Sequence, residues 1–456
     1  MPYHSIGQPG SSTLEIFRKH GLTPFQRVLS PELFAIVWPV SAHPNSVLIP
    51  PVVFWLMATA ALSDGTLAAA VMTFWTCVSS VCPATRRKSI TEEAFCMARS
   101  ALPLRFFRDL FDTFVHRQEA VQSGRWRWRD KRLLALDGTL VRLPATETLR
   151  QSYPPPRNER GASKYPQALL VGLVGLWSGL CYRFVLVPQH QAEQWCACWL
   201  ARYLQPDDLL LADRNFSSYE IMARVLQHRA NLLFRLPMNR FHKLPRRSTN
   251  SGRRDEWLVD LKLPAALRKR CPHMPAVLTV RVLEYQIPGY RVSWLITSLI
   301  DAQAYRYEEL VNLYHQRWNQ ETIHREWKYT LQLSNLRSHS PHGILKEIFV
   351  QLTMNNAIRA IQAEALPLHS KPMALRFLDT RRLVVAEIPT MALAPIEELP
   401  SIYSNLLCAI AKLTIPLRPG RSYPRPNDGK KRNKGHGKLV QPARLPDPIK
   451  VAPCPV

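Results

Sequence analysis

The chain has 456 residues, of which 46% are hydrophobic, and its 60 Lys and Arg outnumber its 34 Asp and Glu to give a formal charge of +26. Such an excess of positive charge favours polyanionic partners, of which DNA and RNA are the commonest, with membrane surfaces as the alternative. The most apolar segment, 47–62, is shorter than the roughly 20 residues that span a bilayer and contains two prolines. We therefore interpret it as core and exclude a membrane helix there.

The N-terminus and the cysteines argue against a secreted protein. The first ten residues, MPYHSIGQPG, lack the charged start and the apolar core of a signal peptide, so we expect a cytoplasmic location. Nine cysteines, an odd number without a Cys-x-x-Cys pair, argue against a disulfide framework and against a structural zinc site. Cys196 and Cys198 are interpreted as small helix residues.

Residues 1–125 are expected to be mostly helical. Helix starts are predicted at 30–32, where Ser precedes Pro and Glu, and at 89–92, which has the spacing of a capping box. The next stretch, 125–132 (RWRWRDKR), alternates aromatic and basic residues. It is compatible with stacking and phosphate contacts to nucleic acid, and equally with an edge strand whose charges are solvated.

From Leu133 onward, short apolar runs alternate with helical segments, which predicts an α/β domain. The predicted strands are 133–137, 140–143, 168–177, 182–187, 208–213, 231–236, 276–283 and 294–298. The predicted helices are 191–204, 218–229, 307–331, 355–361 and 406–413. Turns are predicted at Gly138-Thr139, between the first two strands, and at Ser178-Gly179, in a hairpin.

Two segments break this alternation. Residues 238–292 begin with a polar, basic loop and continue with β-prone runs, so we predict a β-rich insertion there. Residues 416–456 hold ten Lys or Arg against two Asp, together with nine prolines, and such a segment cannot bury a core. We expect a disordered basic tail, which either improves solubility or adds nonspecific attraction to DNA.

The predicted helix 307–331 carries charged residues at helical spacings. Tyr314, Glu321 and Lys328 are seven residues apart, which is two turns, and Arg317 precedes Glu321 by four. This spacing predicts one helix face that presents a carboxylate among cations. The plain alternative is an exposed Arg–Glu pair on an amphipathic helix, worth about 0.3–0.5 kcal/mol.

Two further acids, Asp137 and Asp213, are each predicted at the C-terminal end of a buried strand, where an α/β sheet exposes side chains to a cleft. Glu321 beside them would complete a set of three carboxylates, which could hold two Mg²⁺ or Mn²⁺ ions roughly 3.5–4 Å apart. Such a pair of ions clamps the attacking and the leaving oxygen of a phosphodiester exchange. The pattern therefore indicates an enzyme that cuts a polynucleotide.

The segment around Glu321 resembles the Asp-Asp-Glu transposases of the insertion-sequence-4 family. That family carries Tyr, two residues, Arg, three residues, Glu, six residues and Lys. Tyr314, Arg317, Glu321 and Lys328 match this pattern at every position. The family's first acid lies in an Asp-Gly-Thr context, as Asp137 does.

The region around the second acid resembles the family less closely. The family pattern is Asp-Arg-Gly-Phe, whereas the segment that begins at Asp213 has Asn215 in place of Gly, a residue that also tolerates positive φ. Residues 164–167, Lys-Tyr-Pro-Gln, are similar to the approach to the family's second core strand. In all, the resemblance covers roughly residues 130–240 and 290–370.

The resemblance implies an α/β fold with a ribonuclease H-like catalytic core, a β-rich insertion, a helical N-terminal region that helps to bind the ends of the element, and a basic tail. The expected divisions are 1–125 for the N-terminal region, 126–237 and 293–370 for the two parts of the core, 238–292 for the insertion, 371–415 for a C-terminal helical region and 416–456 for the tail.

The resemblance also implies roles for the matched residues. Asp137, Asp213 and Glu321 would be the catalytic acids and would bind two Mg²⁺ or Mn²⁺ ions. The residues expected to contact DNA are Tyr314, Arg317, Lys328, Arg214 and Trp318.

The expected DNA contacts differ in whether core packing is an alternative. Arg317 and Lys328 would contact phosphates beside the scissile bond. Tyr314 would bind a phosphate at the 5′ end of the element or pack as a core phenol. Trp318 and Trp327 would stack a flipped base, although core packing is the favoured interpretation of both.

The implied function is that of an insertion-sequence transposase, which cuts DNA at terminal inverted repeats and joins the ends to target DNA. Its partners would be double-stranded DNA and a second copy of the chain, with no membrane, and it would be associated with the bacterial nucleoid. Two alternatives are a metal-dependent nuclease or resolvase on the same fold and a transposase-derived DNA-binding protein without catalysis. Three convergent acids argue against the latter, because binding alone does not require them.

Overall fold

The computed structural model describes residues 24–37, 48–63, 65–81, 90–122, 124–158, 161–249, 251–287, 291–367 and 370–415. The expected tail, 416–456, lies outside these ranges, and so does the start of the segment 89–92. Within the described ranges, no helix is both long and apolar enough to cross a membrane.

The helices are α1 (Pro31–Val37), α2 (Pro50–Leu62), α3 (Leu67–Val81), α4 (Glu92–Ala101), α5 (Leu104–Val121), α6 (Glu147–Ser152), α7 (Glu193–Leu200), α8 (Tyr219–Gln227), α9 (Met238–Phe241), α10 (Ala265–Arg270), α11 (Tyr307–His315), α12 (Asn319–Arg325), α13 (Pro341–Ala365), α14 (Phe377–Leu393) and α15 (Leu399–Ala411). The strands are β1 (Arg127–Trp128), β2 (Lys131–Arg142), β3 (Arg157–Asn158), β4 (Gly161–Ala162), β5 (Gln167–Gly175), β6 (Cys181–Pro188), β7 (Asp208–Ala212), β8 (Asn231–Leu236), β9 (Arg246–Ser248), β10 (Glu256–Lys262), β11 (Val277–Tyr285) and β12 (Ser293–Thr297).

The centre of the fold is a mixed sheet, which has ten strands in the part of the chain that the structure describes. Its strand order is β6-β5-β2-β7-β8-β12-β11-β10-β9, and β1 pairs with β2 beside this path. β2, β7 and β8 run parallel to one another, while the other neighbours are antiparallel. β7 is buried along its whole length, as is typical of a central parallel strand. The α/β prediction is therefore confirmed as a mixed sheet with many helices.

The β character predicted for 238–292 is present, because β9, β10 and β11 all lie in this segment. These strands extend the central sheet, since β11 pairs with both β10 and β12. A salt bridge between Glu256 on β10 and Arg281 on β11 is completely buried. The pairing of β12 with β8 joins segments that are far apart in sequence, and local periodicity does not reveal it.

The N-terminal helices are largely as expected. α1 begins directly after Ser30, as predicted. The cap of α4 is Thr91, whose hydroxyl oxygen accepts a hydrogen bond from the Ala94 backbone N–H at 3.1 Å. The longest helix, α13, packs against α5 and thereby joins the N-terminal helices to the core.

The aromatic and basic stretch 125–132 forms a tight hairpin from β1 to β2. Arg129 and Asp130 at its tip have φ angles of +47° and +61°. The Trp126 indole N–H donates to the backbone carbonyl of Ser370 at 2.6 Å, and the Trp128 ring lies 6.0 Å from the ring of Tyr305. The structure thus favours the edge-strand interpretation of this stretch.

Candidate active site

Asp137 and Asp213 follow the last paired residues of two neighbouring parallel strands. The ladder between β2 and β7 runs from Arg132 opposite Asp208 to Leu136 opposite Ala212, and the two acids come next. β2 does not end at Asp137, because its remaining residues continue to pair with β5 as far as Arg142. The turn predicted at Gly138-Thr139 is therefore wrong, and Asp137 lies inside a long strand at the point where its parallel neighbour ends.

Asp137 carries a partly desolvated carboxyl group whose side chain is 23% exposed. Burial raises its pKa to about 6, and this effect outweighs the hydrogen bond that its Oδ1 accepts from the Gly138 N–H at 2.9 Å. Arg317 lowers the pKa, whereas Asp213 and Glu193 raise it. Asp137 is therefore a largely buried acid with two other acids nearby.

Asp213 caps a short 3₁₀ turn, Arg214–Phe216, with its Oδ1 accepting the backbone N–H of Asn215 at 2.8 Å. Arg214 is exposed beside it, as a residue that contacts DNA would be. Asn215 does not have positive φ. The sequence suggested that Asn215 replaces Gly because Asn also tolerates positive φ. The structure shows that this position does not require positive φ.

The segment with the matched Tyr, Arg, Glu and Lys is not one continuous α-helix. α11 ends at His315, a 3₁₀ turn covers Gln316–Trp318, α12 follows, and a π-helical turn covers Glu326–Thr330. The expectation of one regular helix over 307–331 is therefore wrong, whereas the common face of the four matched residues stays a prediction.

The physical reason for the interruption is tertiary packing around the π-helical turn. Trp327 is fully buried and donates its indole N–H to Asn355 Oδ1 at 3.2 Å. Glu326 forms a salt bridge with the buried Arg359. These contacts with α13 outweigh the regular helical repeat, and they confirm the core interpretation of Trp327.

Trp327 also fixes this segment against the strand beside Asp137. Gly172 on β5 is the cross-strand partner of Asp137. A Cβ atom at Gly172 would lie 2.8 Å from Trp327 Cη2, so the ring occupies the space that a side chain would fill. The π-helical turn is therefore packed directly next to Asp137.

Glu321 is half-buried in the first turn of α12. One turn later, His324 Nδ1 lies 3.9 Å from Asp137 Oδ2. Burial lowers the pKa of His324 to about 4, with further lowering by Lys328 and Arg317, so the imidazole is neutral at pH 7. The helix that carries Glu321 thus faces Asp137 and brings no positive imidazole to it.

The residues predicted to contact DNA differ in exposure. Tyr314 is buried, and its hydroxyl donates to the backbone carbonyl of Ala212 at 3.3 Å, directly before Asp213. Arg317 is also mostly buried, with its guanidinium carbon 5.9 Å from the Tyr314 ring centre. Lys328 is half-buried, and burial lowers its pKa. The side chain of Trp318 lies outside the part of the chain that the structure describes.

Glu193 is a fourth acid at this site, which the sequence did not single out. A Cβ atom at Gly138 would lie 2.4 Å from Glu193 Oε1. Burial raises the pKa of Glu193, a hydrogen bond with the Asn215 side chain lowers it, and Asp213 raises it. The only signal in the sequence that could have identified Glu193 is its place as the first residue of a helix that follows a strand. Acids are common at such positions.

The donor atoms at this edge suit a hard divalent cation, because they are carboxylate oxygens. Among the residues that the structure describes, no three His, Cys, Asp or Glu side chains are grouped closely enough to hold a metal ion. The chemistry of Asp137, Asp213 and Glu193 therefore fits a divalent ion, although the side chains do not converge on one point.

Comparison with known proteins adds three findings. A family model described as a transposase DDE domain matches residues 128–356. The transposase InsG for insertion sequence element IS4 of Escherichia coli is 26% identical over 304 residues, which cover 65% of this chain and 68% of that protein. A cryo-EM structure of the piggyBac transposase synaptic complex with hairpin DNA aligns with a TM-score of 0.42 at 11% identity, over 88% of this chain and 86% of that chain.

Proposed function

Because the chain belongs to the transposase DDE domain family, whose model matches residues 128–356 of its 456, we propose that Asp137, Asp213 and Glu321 are its catalytic acids. The family match and the Escherichia coli relative confirm the resemblance to insertion-sequence-4 transposases. The chain is a DNA transposase, an enzyme that breaks and forms phosphodiester bonds of DNA. The observation that carries the assignment of the acids is the position of Asp137 and Asp213 side by side at the end of the parallel ladder.

We also propose that the catalytic core has a ribonuclease H-like fold. The support comes from the strand order β6-β5-β2-β7-β8, in which antiparallel pairing on one side of β2 changes to parallel pairing on the other. In such a sheet, side chains that follow parallel strands meet at one edge, where ligands bind. The divisions expected from the sequence are kept in this proposal, with 1–125 binding the ends of the element and 238–292 inserted into the core.

Members of this family generally use divalent metal ions, and we infer two Mg²⁺ or Mn²⁺ ions bound by Asp137, Asp213 and Glu321. The raised pKa of Asp137 supports this inference, because a carboxylate crowded by other acids gains most from a bound cation. When bound, such ions supply the positive charge that stabilises the attacking and the leaving oxygens. The chain contributes the fixed strands and the packed α12 segment that hold the acids in position.

The proposed substrates are the terminal inverted repeats of an insertion sequence and a target DNA. Arg317 and Lys328 lie on the segment that faces Asp137, and their positive charge suits phosphate groups near the scissile bond. Arg214 is exposed directly after Asp213 and is proposed to contact the DNA backbone. Tyr314 supports the strand end through Ala212 and would reach a phosphate after a rotation of its side chain. A homodimer is proposed as the assembly on DNA.

The test of this assignment is Glu321→Gln, which removes the charge and keeps the side-chain volume. Cleavage of a linear duplex that carries the inverted repeats flanking the gene should fall at least 10³-fold, because the proposed metal ions would lose one of their carboxylate ligands. Binding of the same duplex in a gel shift should change less than about threefold. Glu308→Gln is the matched control, because Glu308 is exposed and lies on α11, the helix that precedes the α12 helix of Glu321. Cleavage by Glu321→Gln at near the wild-type rate would refute the assignment.

A further inference from the structure

The two faces of β2 differ at the position of the catalytic acids. Asp137 and its cross-strand partner Gly172 point to the face that Trp327 covers. Gly138 is the next residue and points to the opposite face, where the Glu193 carboxylate lies against its backbone. Glu193 and the Glu321 segment therefore approach the same point of β2 from opposite faces of the sheet.

Asn215 joins Glu193 to the second aspartate. Its backbone N–H donates to Asp213 Oδ1 at 2.8 Å, and its backbone carbonyl accepts from Gln194 Nε2 at 3.1 Å. Its side chain also lies close enough to Glu193 to lower the pKa of that carboxyl. One asparagine thus connects the turn that follows β7 with the first turn of α7. A glycine, the residue of the family pattern at this position, has no side chain for the contact with Glu193.

The opposite face carries an independent indication that a ligand belongs here. His324 is 7% exposed, and its Nδ1 faces Asp137 Oδ2 at 3.9 Å. Its other nitrogen, Nε2, is buried and has no hydrogen-bond partner within the described ranges. Buried polar groups are normally paired, so a bound species next to His324 would satisfy this open nitrogen.

We propose that Glu193 is a fourth carboxylate of the divalent-cation site, that it approaches from the sheet face opposite Glu321, and that the Asn215 side chain holds it there. The proposal rests on the catalytic assignment of Asp137, Asp213 and Glu321. A site for two divalent cations would need carboxylate oxygens from more than one direction. Glu321 would supply them on one face of the sheet and Glu193 on the other.

The first test is metal binding by Glu193→Gln, which keeps the shape of the side chain and removes its charge. Mn²⁺ alone is titrated into the full-length protein and followed by calorimetry. The variant should bind Mn²⁺ at least tenfold more weakly, as is typical when a carboxylate of a metal site is lost. Asn215→Gly should weaken binding by a smaller factor. Glu147→Gln is the matched control, since Glu147 is the first residue of the short helix α6 and is exposed.

The second readout separates a role in binding cations from a purely structural role. In EDTA, Glu193→Gln should raise the midpoint of thermal unfolding, because it removes a negative charge that burial and Asp213 disfavour. Added Mn²⁺ should then raise the midpoint by less than it does in the wild type. A carboxylate that merely supported the fold would give a lower midpoint in EDTA when replaced.

The outcomes distinguish this inference from the function on which it rests. Mn²⁺ affinity of Glu193→Gln within twofold of wild type, with binding lost in Asp137→Asn, would overturn the role of Glu193 alone. A lower thermal midpoint of Glu193→Gln in EDTA would do the same. Failure of the wild type to bind Mn²⁺, or unchanged binding by Asp137→Asn, would overturn both the metal site and the fourth carboxylate.

Discussion

The two ends of the paired strands β2 and β7 use acidic residues in opposite ways. At the start of the ladder, Arg132 lies across from Asp208, and two hydrogen bonds of 2.8 Å join its Nε and Nη2 to the two carboxylate oxygens. At the other end, Asp137 comes beside Asp213, and burial raises its pKa, with a further contribution from two other acids. The same pair of strands thus carries a neutralised acid at one end and crowded acids at the other.

Other buried acids of the chain follow the pattern of the first end. Glu256 is paired with Arg281 in the sheet, and Glu326 is paired with Arg359 beneath the π-helical turn. An acid that stabilises the fold has an arginine from the chain itself, because an unpaired buried charge costs several kcal/mol. At the Asp137 end, Arg317 compensates Asp137 only in part, and a bound cation would supply the rest.

The largest expected effect comes from removing Arg132, the residue that neutralises Asp208 at the start of the ladder. Arg132→Met leaves Asp208, which is 2% exposed, without its bidentate partner, and Glu119 loses a salt bridge as well. The free energy of unfolding should fall by about 3–5 kcal/mol, as is typical when one partner of a buried pair is removed. Urea unfolding followed by tryptophan fluorescence measures this change.

The control for Arg132→Met is Arg127→Met on the neighbouring strand β1. Arg127 is exposed, and its guanidinium donates to the backbone carbonyl of Asp130. Its replacement should change the free energy of unfolding by less than about 0.5 kcal/mol. Equal effects of the two substitutions would show that the bidentate pair is not what stabilises this end of the ladder.

At the crowded end, removal of a charge should have the opposite sign. Without divalent metal at pH 7, Asp137→Asn should stabilise the protein by roughly 2–3 kcal/mol, because the folded state raises the pKa of this carboxyl from 3.8 to about 6. Between these two values the folded state binds more protons than the unfolded state, so stability falls as pH rises through this window. The cost of the ionised group is therefore absent below about pH 4 and complete above about pH 6.

The pH dependence gives a direct measurement of this second effect. Thermal unfolding of wild type and Asp137→Asn in EDTA is compared at pH 7 and pH 5. The difference in stability should shrink to about half at pH 5, because part of the wild-type carboxyl is then protonated. His324, whose pKa is lowered to about 4, stays largely neutral at both pH values and therefore contributes little to the difference. A difference that grows on acidification would contradict the raised pKa of Asp137.

The contrast between the two ends was only partly predictable from the sequence. The apolar runs before Asp137 and Asp213 are local signals, and they indicated β2 and β7 with both acids at the relevant positions. The continuation of β2 beyond Gly138 was missed, because it depends on pairing with β5, which local residues do not reveal. Gly138-Thr139 has turn-like composition, yet its strand conformation is fixed by a partner elsewhere in the chain.

Contacts between distant segments also explain the other two misses. The regular helix predicted through Glu321 is interrupted because Trp327 packs on Gly172 and binds Asn355, which lie far apart in the sequence. Glu193 was missed because its significance depends on Gly138, a residue of another strand. Periodicity reports the preference of one segment, whereas the site is formed where several segments meet.

Gly172→Ala tests whether the crowded end also depends on the position of the Glu321 segment, with no change of charge. Gly172 is the cross-strand partner of Asp137, and its new Cβ would lie 2.8 Å from Trp327 Cη2. The ring is fully buried and bonded to Asn355, so it has little room to move. Overpacking of this kind should reduce stability by about 1–3 kcal/mol. DNA cleavage should fall by about 10²-fold, since a displacement of about 1 Å in the segment that carries Glu321 is enough for such a loss.

Gly65→Ala is the matched control, because its Cβ would make an ordinary contact with Ala69 at 3.4 Å. If Gly172→Ala cleaves DNA like Gly65→Ala while losing stability, the packing of Trp327 serves the fold alone and does not position Glu321 opposite Asp137.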